Sequence, residues 1–432
     1  MKVYYSNSGC AIHNIEFSRF MVKAKLVRTR YISEADVIIQ SFCGISSDSF
    51  KEIPYYMTIL QHLKETNPSL QIFVGGCAEG PVDLAKKYPF ITGSFRRCKM
   101  IEDLGKFFQY DDSEKALPTY WNSVLIESGC ARHCGFCKTG YMDMPVISTP
   151  IEDVVKAVEF TVEQHHPDIV LMAENSTEYG LDLPGKVRLL DLLKAVTKVD
   201  GVKSIYLSAL CIDELVHSPD LVDYIANSPL ITKIQLEIQS LIPAVRRNMR
   251  LTSSVDDVLQ ILHAFRNKHI DTNIMVGYPG ETDSAFQKQL DLIRAHHLYY
   301  VQFNQYDNTP LVYGSTLPQV PKPASSRRLL ELVDVINELK EEQFSKWLGQ
   351  TMPFMFTSEK RFEMIGGKAI ILPESKFQCS VGTIVNMKIT GLDSIVTPFD
   401  NYQYMVLNGR IVSWFLLKNC WMSQQNLFRL KG

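Results

Sequence analysis

Between residues 123 and 304 the sequence alternates six short apolar runs with stretches of helical periodicity. The runs are SVLIE at 123–127, DIVLM at 168–172, KSIYL at 203–207, ITKIQLE at 231–237, TNIMV at 272–276 and YVQFN at 300–304. A parallel strand pair needs a long crossover, and a helix is the usual one, so this alternation predicts a parallel sheet with helices packed on it. Six units predict a partial (β/α)6 barrel, whose chemistry sits at the C-terminal ends of the strands. Two helix starts are well marked: Thr149-Pro150-Ile151-Glu152 and Ser254-Val255-Asp256-Asp257 each place a hydroxyl three residues before a carboxylate, the pattern of a capping box.

The flanking segments have different patterns. KVYY at 2–5, DVIIQ at 36–40 and QIFVG at 71–75 alternate with helical stretches at 17–25 and 55–66, which predicts a smaller parallel α/β domain over residues 1–110. The polar stretch 111–123 reads as a linker into a barrel domain spanning 120–345, which a long helix around Leu329–Leu339 closes. Over 346–432, short runs such as MPFMF, GTIVNMKIT and IVSWFLL between turn residues predict a small antiparallel β-barrel. The fold class expected is therefore α/β, with this β-barrel appended.

Ten cysteines stand in this chain. Nothing at its N-terminus has the basic-then-apolar layout of a secretory signal, and a cytoplasmic location is expected. In a reducing compartment the cysteines are core thiols, ligands or reactive groups rather than disulfides. Cys130, Cys134 and Cys137 form a C-x3-C-x2-C triplet directly after the first barrel strand. Three thiolates within eight residues suit three corners of a four-iron four-sulfur cluster and leave one iron open to a substrate or cofactor. Structural zinc is the alternative, but it takes four ligands, often as paired motifs, and His133 between two of the thiols is poorly placed to be the fourth. Cys10, Cys43 and Cys77 each follow a predicted strand of the first domain, at the sheet edge where ligands bind; three small buried core thiols are the alternative. Cys98, Cys211, Cys379 and Cys420 are expected in cores.

At this point the sequence resembles the radical S-adenosylmethionine (SAM) superfamily, and within it the methylthiotransferases. ESGCARHCGFCKTG matches the cluster loop, NSGCAIHN, SFCGIS and VGGCAEG look like the three N-terminal cysteine motifs, and IMVGYPGETDSAF and EIQS look like two barrel segments of the family. VGTIVNMKIT resembles its C-terminal TRAM domain. The resemblance implies two [4Fe-4S] clusters and SAM as cofactors. One cluster, on Cys130, Cys134 and Cys137, would cleave SAM to the hydrogen-abstracting 5′-deoxyadenosyl radical. The other, on Cys10, Cys43 and Cys77, would present the sulfur. It implies SAM contacts at Phe136, whose backbone approaches the adenine, at Glu174 and Asn175 after the second barrel strand, and at Ser208 and Gln239 at later strand ends. An electron donor such as flavodoxin or ferredoxin is expected, with the enzyme acting as a monomer and away from membranes.

The substrate is where the sequence departs from this family. Members acting on tRNA or ribosomal protein carry an arginine-rich run after the cluster loop, and here YMDMPVISTP at 141–150 has no arginine. In a second segment, Met249-Arg250-Leu251-Thr252-Ser253-Ser254, the family's arginine and tyrosine are replaced by Leu251 and Ser253, with Arg250 beside them. Fewer guanidinium forks weaken phosphate recognition, so a peptide or protein side chain, including that of a ribosomally made precursor peptide, is expected as the macromolecular acceptor ahead of a tRNA adenosine. Residues 346–432 nevertheless hold ten Lys or Arg against five Asp or Glu, with Tyr402, Tyr404 and Trp414 as candidate stacking groups. A non-catalytic metal-containing RNA-binding scaffold is the alternative from another class.

Overall fold

The first apolar runs form strands of one sheet: β1 (Lys2–Ser6), β2 (Val27–Arg28), β3 (Val37–Phe42), β4 (Gln71–Gly76) and β5 (Gly93–Arg96). Their order is β2-β1-β3-β4-β5, and every pair is parallel. β3 explains why its run is apolar without alternation. Val37 and Ile39 pack on one side with Phe17, Phe20 and Leu104, while Ile38 and Phe42 pack on the other with Ile53, Met57 and Leu60. Helices on both faces leave no polar face for such a strand. Residues described by this computed structural model are 1–7, 11–43, 47–79, 83–111, 117–139, 144–308, 312–356, 361–365, 369–374, 379–380, 382–395 and 405–415.

Next along the chain come β6 (Thr119–Tyr120), β7 (Ser123–Leu125), β8 (Glu127–Ser128), β9 (Ile147–Ser148), β10 (Asp168–Met172), β11 (Ser204–Cys211), β12 (Ile231–Gln239), β13 (His269–Val276) and β14 (Val301–Gln305). A seven-stranded sheet runs β14-β13-β12-β11-β10-β7-β6, with six parallel strands and β6 antiparallel at the edge. The six parallel strands are the six runs read from the sequence. β8 and β9 form a separate antiparallel pair, Glu127 opposite Ser148, that closes the base of the cysteine loop. The pairing of β11 with β12 and of β12 with β13 shifts register near the strand ends, where Ala209 (φ +50°) and Gln239 (φ +61°) take left-handed backbone. Such bends and strained residues gather where strands end at a site.

Of the two expected capping boxes, Ser254 makes one: its Oγ accepts from Asp257 N at 3.1 Å and Asp257 Oδ2 accepts from Ser254 N at 2.7 Å. The helix Ile151–Glu163 instead starts at Pro150 without a side-chain cap, because the Thr149 hydroxyl donates to Leu125 O at 3.0 Å. Residues Met1–Ile336 form one compact unit holding both sheets, and Asn337–Gly432 form another; the division falls inside the helix Lys322–Trp347. The second unit is a closed barrel, β15 (Thr351–Phe356), β16 (Phe362–Met364), β17 (Ala369–Pro373), β18 (Ile384–Ile395) and β19 (Met405–Phe415), in the order β15-β16-β17-β19-β18. It is antiparallel except for β17 against β19. Val385, Met387 and Ile389 point inward with the period of two that a barrel strand requires. Tyr402 and Tyr404 lie outside the described residues. No helix among the described residues is long and apolar enough to cross a membrane.

Candidate active site at the strand ends

The cysteine loop leaves β8 through Gly129, whose φ of +90° and closeness to the Pro145 carbonyl admit only glycine. Backbone bonds then fix the loop: Cys130 N to Met144 O (3.1 Å), Gly135 N to Met249 O (2.7 Å) and Cys137 N to Cys134 O (3.1 Å). Ala131 N adds a bond to Glu178 Oε2 at 2.9 Å. Cys130, Cys134 and Cys137 are all half-buried free thiols. Burial pushes the Cys130 and Cys134 thiols up, and the neighbouring Cys137 adds to it. Two buried thiols that resist becoming bare thiolates suit a bound cationic cluster, which supplies the missing positive charge. Among the described residues no three His, Cys, Asp or Glu side chains close around a single ion. Thiolates that each take a different iron of a cluster stand farther apart than the four ligands of one zinc.

Around this loop lie the other predicted contacts. Phe136 is half-buried on the loop itself. Glu174 follows β10 and reaches it, its Oε2 accepting from Gly129 N at 3.0 Å. Its other oxygen pairs with Arg97, which is 3% exposed and belongs to the turn after β5. Asn175 N donates to Glu127 Oε2 at 3.1 Å, while Asn175 Nδ2 and Glu127 Oε1 are buried without hydrogen-bond partners. Glu127 is fully buried, and burial, reinforced by the charge of Glu174, pushes its carboxyl up to about 9, so it is neutral at pH 7. These orphaned atoms mark a place where a polar molecule would complete the bonding. Ser208 differs: its hydroxyl donates to Leu171 O (3.0 Å) and accepts from Ala173 N (3.2 Å), so it ties β11 to β10. Gln239 stands one strand further along, its Nε2 donating to Glu237 Oε2 at 2.9 Å and its N to Asn273 Oδ1 at 3.3 Å.

The first sheet brings Cys77 to the same region, through His13 and Arg97. Cys77 follows β4 and Gly76, which has φ +93°. It is buried, with Sγ 3.5 Å from His13 Nε2, and His13 Nδ1 lies 2.9 Å from Ser41 Oγ. Burial and the charge of Arg97 push His13 down to about 3, so its ring is neutral. Cys43 follows β3, and Lys138 of the cysteine loop lies within electrostatic range of it. Burial lowers the Lys138 ammonium, and Asp307 and Cys43 oppose that shift. Cys10 lies outside the described residues. Arg97, Glu127, His13 and Lys138 were not among the expected site residues. The only sequence signal for them was a charged or polar residue next to an apolar run, as with Glu127 in SVLIES.

The chain matches the Radical SAM superfamily model over residues 124–293, from β7 through the helix Asp283–Ala295. It is 25% identical to the ribosomal protein uS12 methylthiotransferase RimO of Dictyoglomus thermophilum over 420 residues, covering 88% of this chain and 95% of that one. The RimO of Carboxydothermus hydrogenoformans is also 25% identical, over 91% and 98% of the two chains. So is the tRNA-2-methylthio-N(6)-dimethylallyladenosine synthase of Clostridium tetani, over 83% and 86%. Along most of its length the chain is similar to the radical SAM methylthiotransferases. Among solved structures, the radical SAM methyltransferase TsrM of Kitasatospora setae shares the fold, with a TM-score of 0.51 and 12% identity over 70% and 72% of the two chains. The chain is thus an enzyme, a sulfur-inserting transferase using SAM and [4Fe-4S] clusters. Held by the Cys130, Cys134 and Cys137 loop, a cluster with SAM would supply one-electron chemistry able to attack a C–H bond.

Proposed function

We propose that this methylthiotransferase places a methylthio group on a C–H carbon of a polypeptide side chain, with residues 1–110 holding the sulfur-presenting cluster and 120–345 the SAM-cleaving one. In this reading Cys130, Cys134 and Cys137 ligate the SAM-binding cluster. Phe136, Glu174 and Asn175 line the SAM pocket, and Ser208 and Gln239 shape its strand-end wall. Cys10, Cys43 and Cys77 ligate the auxiliary cluster. The observation that carries the reading is the pairing of Arg97, after β5 of the first sheet, with Glu174, which holds the cysteine loop at Gly129 N. It supports one reaction space between the ends of two parallel sheets, short enough for a substrate carbon to face both sulfur-rich loops.

A polypeptide acceptor is favoured by how the arginines of the site are used. Arg97 pairs with Glu174, Arg132 with Asp213 and Glu214, and Arg246 donates to the carbonyls of Ile238, Ser240 and Ser253. Guanidinium groups committed to internal partners are not available to grip a phosphate backbone. Arg250 lies with its guanidinium 4.0 Å over the Tyr313 ring. The relatives named for uS12 support a protein acceptor, and the relative named for tRNA makes the adenosine base the competing result. Residues 346–432 would recognise the substrate, and a flavodoxin or ferredoxin in the cytoplasm would supply electrons. The deciding experiment is mass spectrometry of ribosomal proteins, other peptides and tRNA from cells with and without this enzyme. A CH2S gain on a polypeptide that depends on the enzyme is expected; the same gain on tRNA alone overturns the acceptor.

A further inference from the structure

Arg132 sits inside the cysteine loop, two residues before Cys134, and its side chain is only 15% exposed. Its two terminal nitrogens are held by Asp213 and Glu214, on the segment that follows β11. Asp213 is itself fixed, accepting from Thr252 N (2.8 Å) and Ser253 N (2.9 Å). Burial alone would raise the Asp213 carboxyl, but these bonds, with those from the Ser253 hydroxyl and Arg132, hold it well below the usual carboxylate range. The guanidinium is therefore permanently charged and clamped. Its third nitrogen, Nε, is buried with no hydrogen-bond partner. Beside it is Cys134, two residues along the same loop and within range of the guanidinium's charge. Cys211, at the end of β11, also adjoins Arg132, but burial pushes its thiol far up, so it stays neutral.

We propose that Arg132 is a positioning residue that sets the reduction potential of the SAM-binding cluster, by turning its free Nε–H to the Cys134 thiolate and holding a fixed positive charge there. Hydrogen bonds to ligating sulfurs and nearby charge are the main means by which a protein tunes such clusters. Reduction adds one electron from the external donor, with no bond broken and no proton moved, so it adds one negative charge beside Cys134. A guanidinium in contact stabilises that charge directly. The two carboxylates stand on the far side of the guanidinium, and Arg246, 3.8 Å from Asp213, offsets one of them. Their balance sets how far the potential rises.

The inference rests on Cys130, Cys134 and Cys137 being the cluster ligands, and the test separates the two. In the full-length reconstituted enzyme, the midpoint of the SAM-sensitive EPR signal is followed in a redox titration, with iron and sulfide measured on the same sample. R132M is expected to shift the midpoint to lower potential at unchanged iron content, R132K to recover part of the shift, and E214Q to shift it upward. Midpoints of R132M and E214Q equal to the unmodified enzyme overturn the proposal. Should R132M fail to take up iron, E214Q alone decides, and no upward shift overturns it. A C134S variant that keeps its full iron and its SAM-sensitive signal instead overturns the ligand assignment.

Discussion

The two cysteine sets of this enzyme solve one problem in opposite ways. Cys130, Cys134 and Cys137 come from a single loop, stapled at its base by β8 and β9 and pinned by backbone bonds to Met144 and Met249. Cys43 and Cys77 come from separate loops, and what unites them is the adjacency of β3 and β4 in a parallel sheet. Both sets use a glycine in left-handed backbone before a cysteine, Gly129 at φ +90° and Gly76 at φ +93°. The local set depends on loop geometry, whereas the dispersed set depends on the whole sheet. One buried cation spans both: Arg97 pairs with Glu174 beside the local set and lowers His13 beside Cys77.

The comparison breaks most sharply at the local set. C134S is expected to abolish SAM cleavage and sulfur transfer together, measured as 5′-deoxyadenosine and thiomethylated product. C43A with C77A should sharpen it by leaving SAM cleavage intact while product formation is lost and iron falls to the content of one cluster; unchanged iron removes these residues from the auxiliary site. R97M strips the shared cation and leaves Glu174 buried without its partner, a loss of about 3–5 kcal/mol for a broken buried pair. Chemical denaturation near neutral pH measures it, and a loss under 1 kcal/mol would mean the two regions are not joined through this pair.

A pH-dependent effect concerns Glu127. Its carboxyl is held near 9 in the folded chain against 4.5 as the ordinary value. A raised acid contributes its stability below the unfolded value and loses it as pH climbs through the folded one. E127Q should therefore match the unmodified protein near pH 4.5 and exceed it by a margin that widens toward pH 9, at up to about 1.4 kcal/mol per pH unit. Thermal unfolding across that range checks the slope, and a flat difference would mean that Glu127 is ionised.

Much of the fold was legible because it repeats. The six barrel strands and three strands of the first sheet appear as apolar runs, since strands buried on both faces keep no polar side. β2, β6, β8 and β9 are two-residue pairings, too short to leave a period, and they exist only because a neighbouring strand is there to bond them. Thr149 shows the same limit: its sequence reads as a cap, and the nearby Leu125 carbonyl takes its hydroxyl instead.

By itself the sequence determined the triplet, because three thiols within eight residues must share one loop whatever surrounds it. It also determined the strand order of events along the chain, through hydrophobic period. Only the tertiary structure decided which charges meet. Arg97 with Glu174 and Arg132 with Asp213 join residues far apart in the chain. Ion pairs of this kind leave no local pattern, because a charge buried by a distant segment looks in the sequence like any charge left in water.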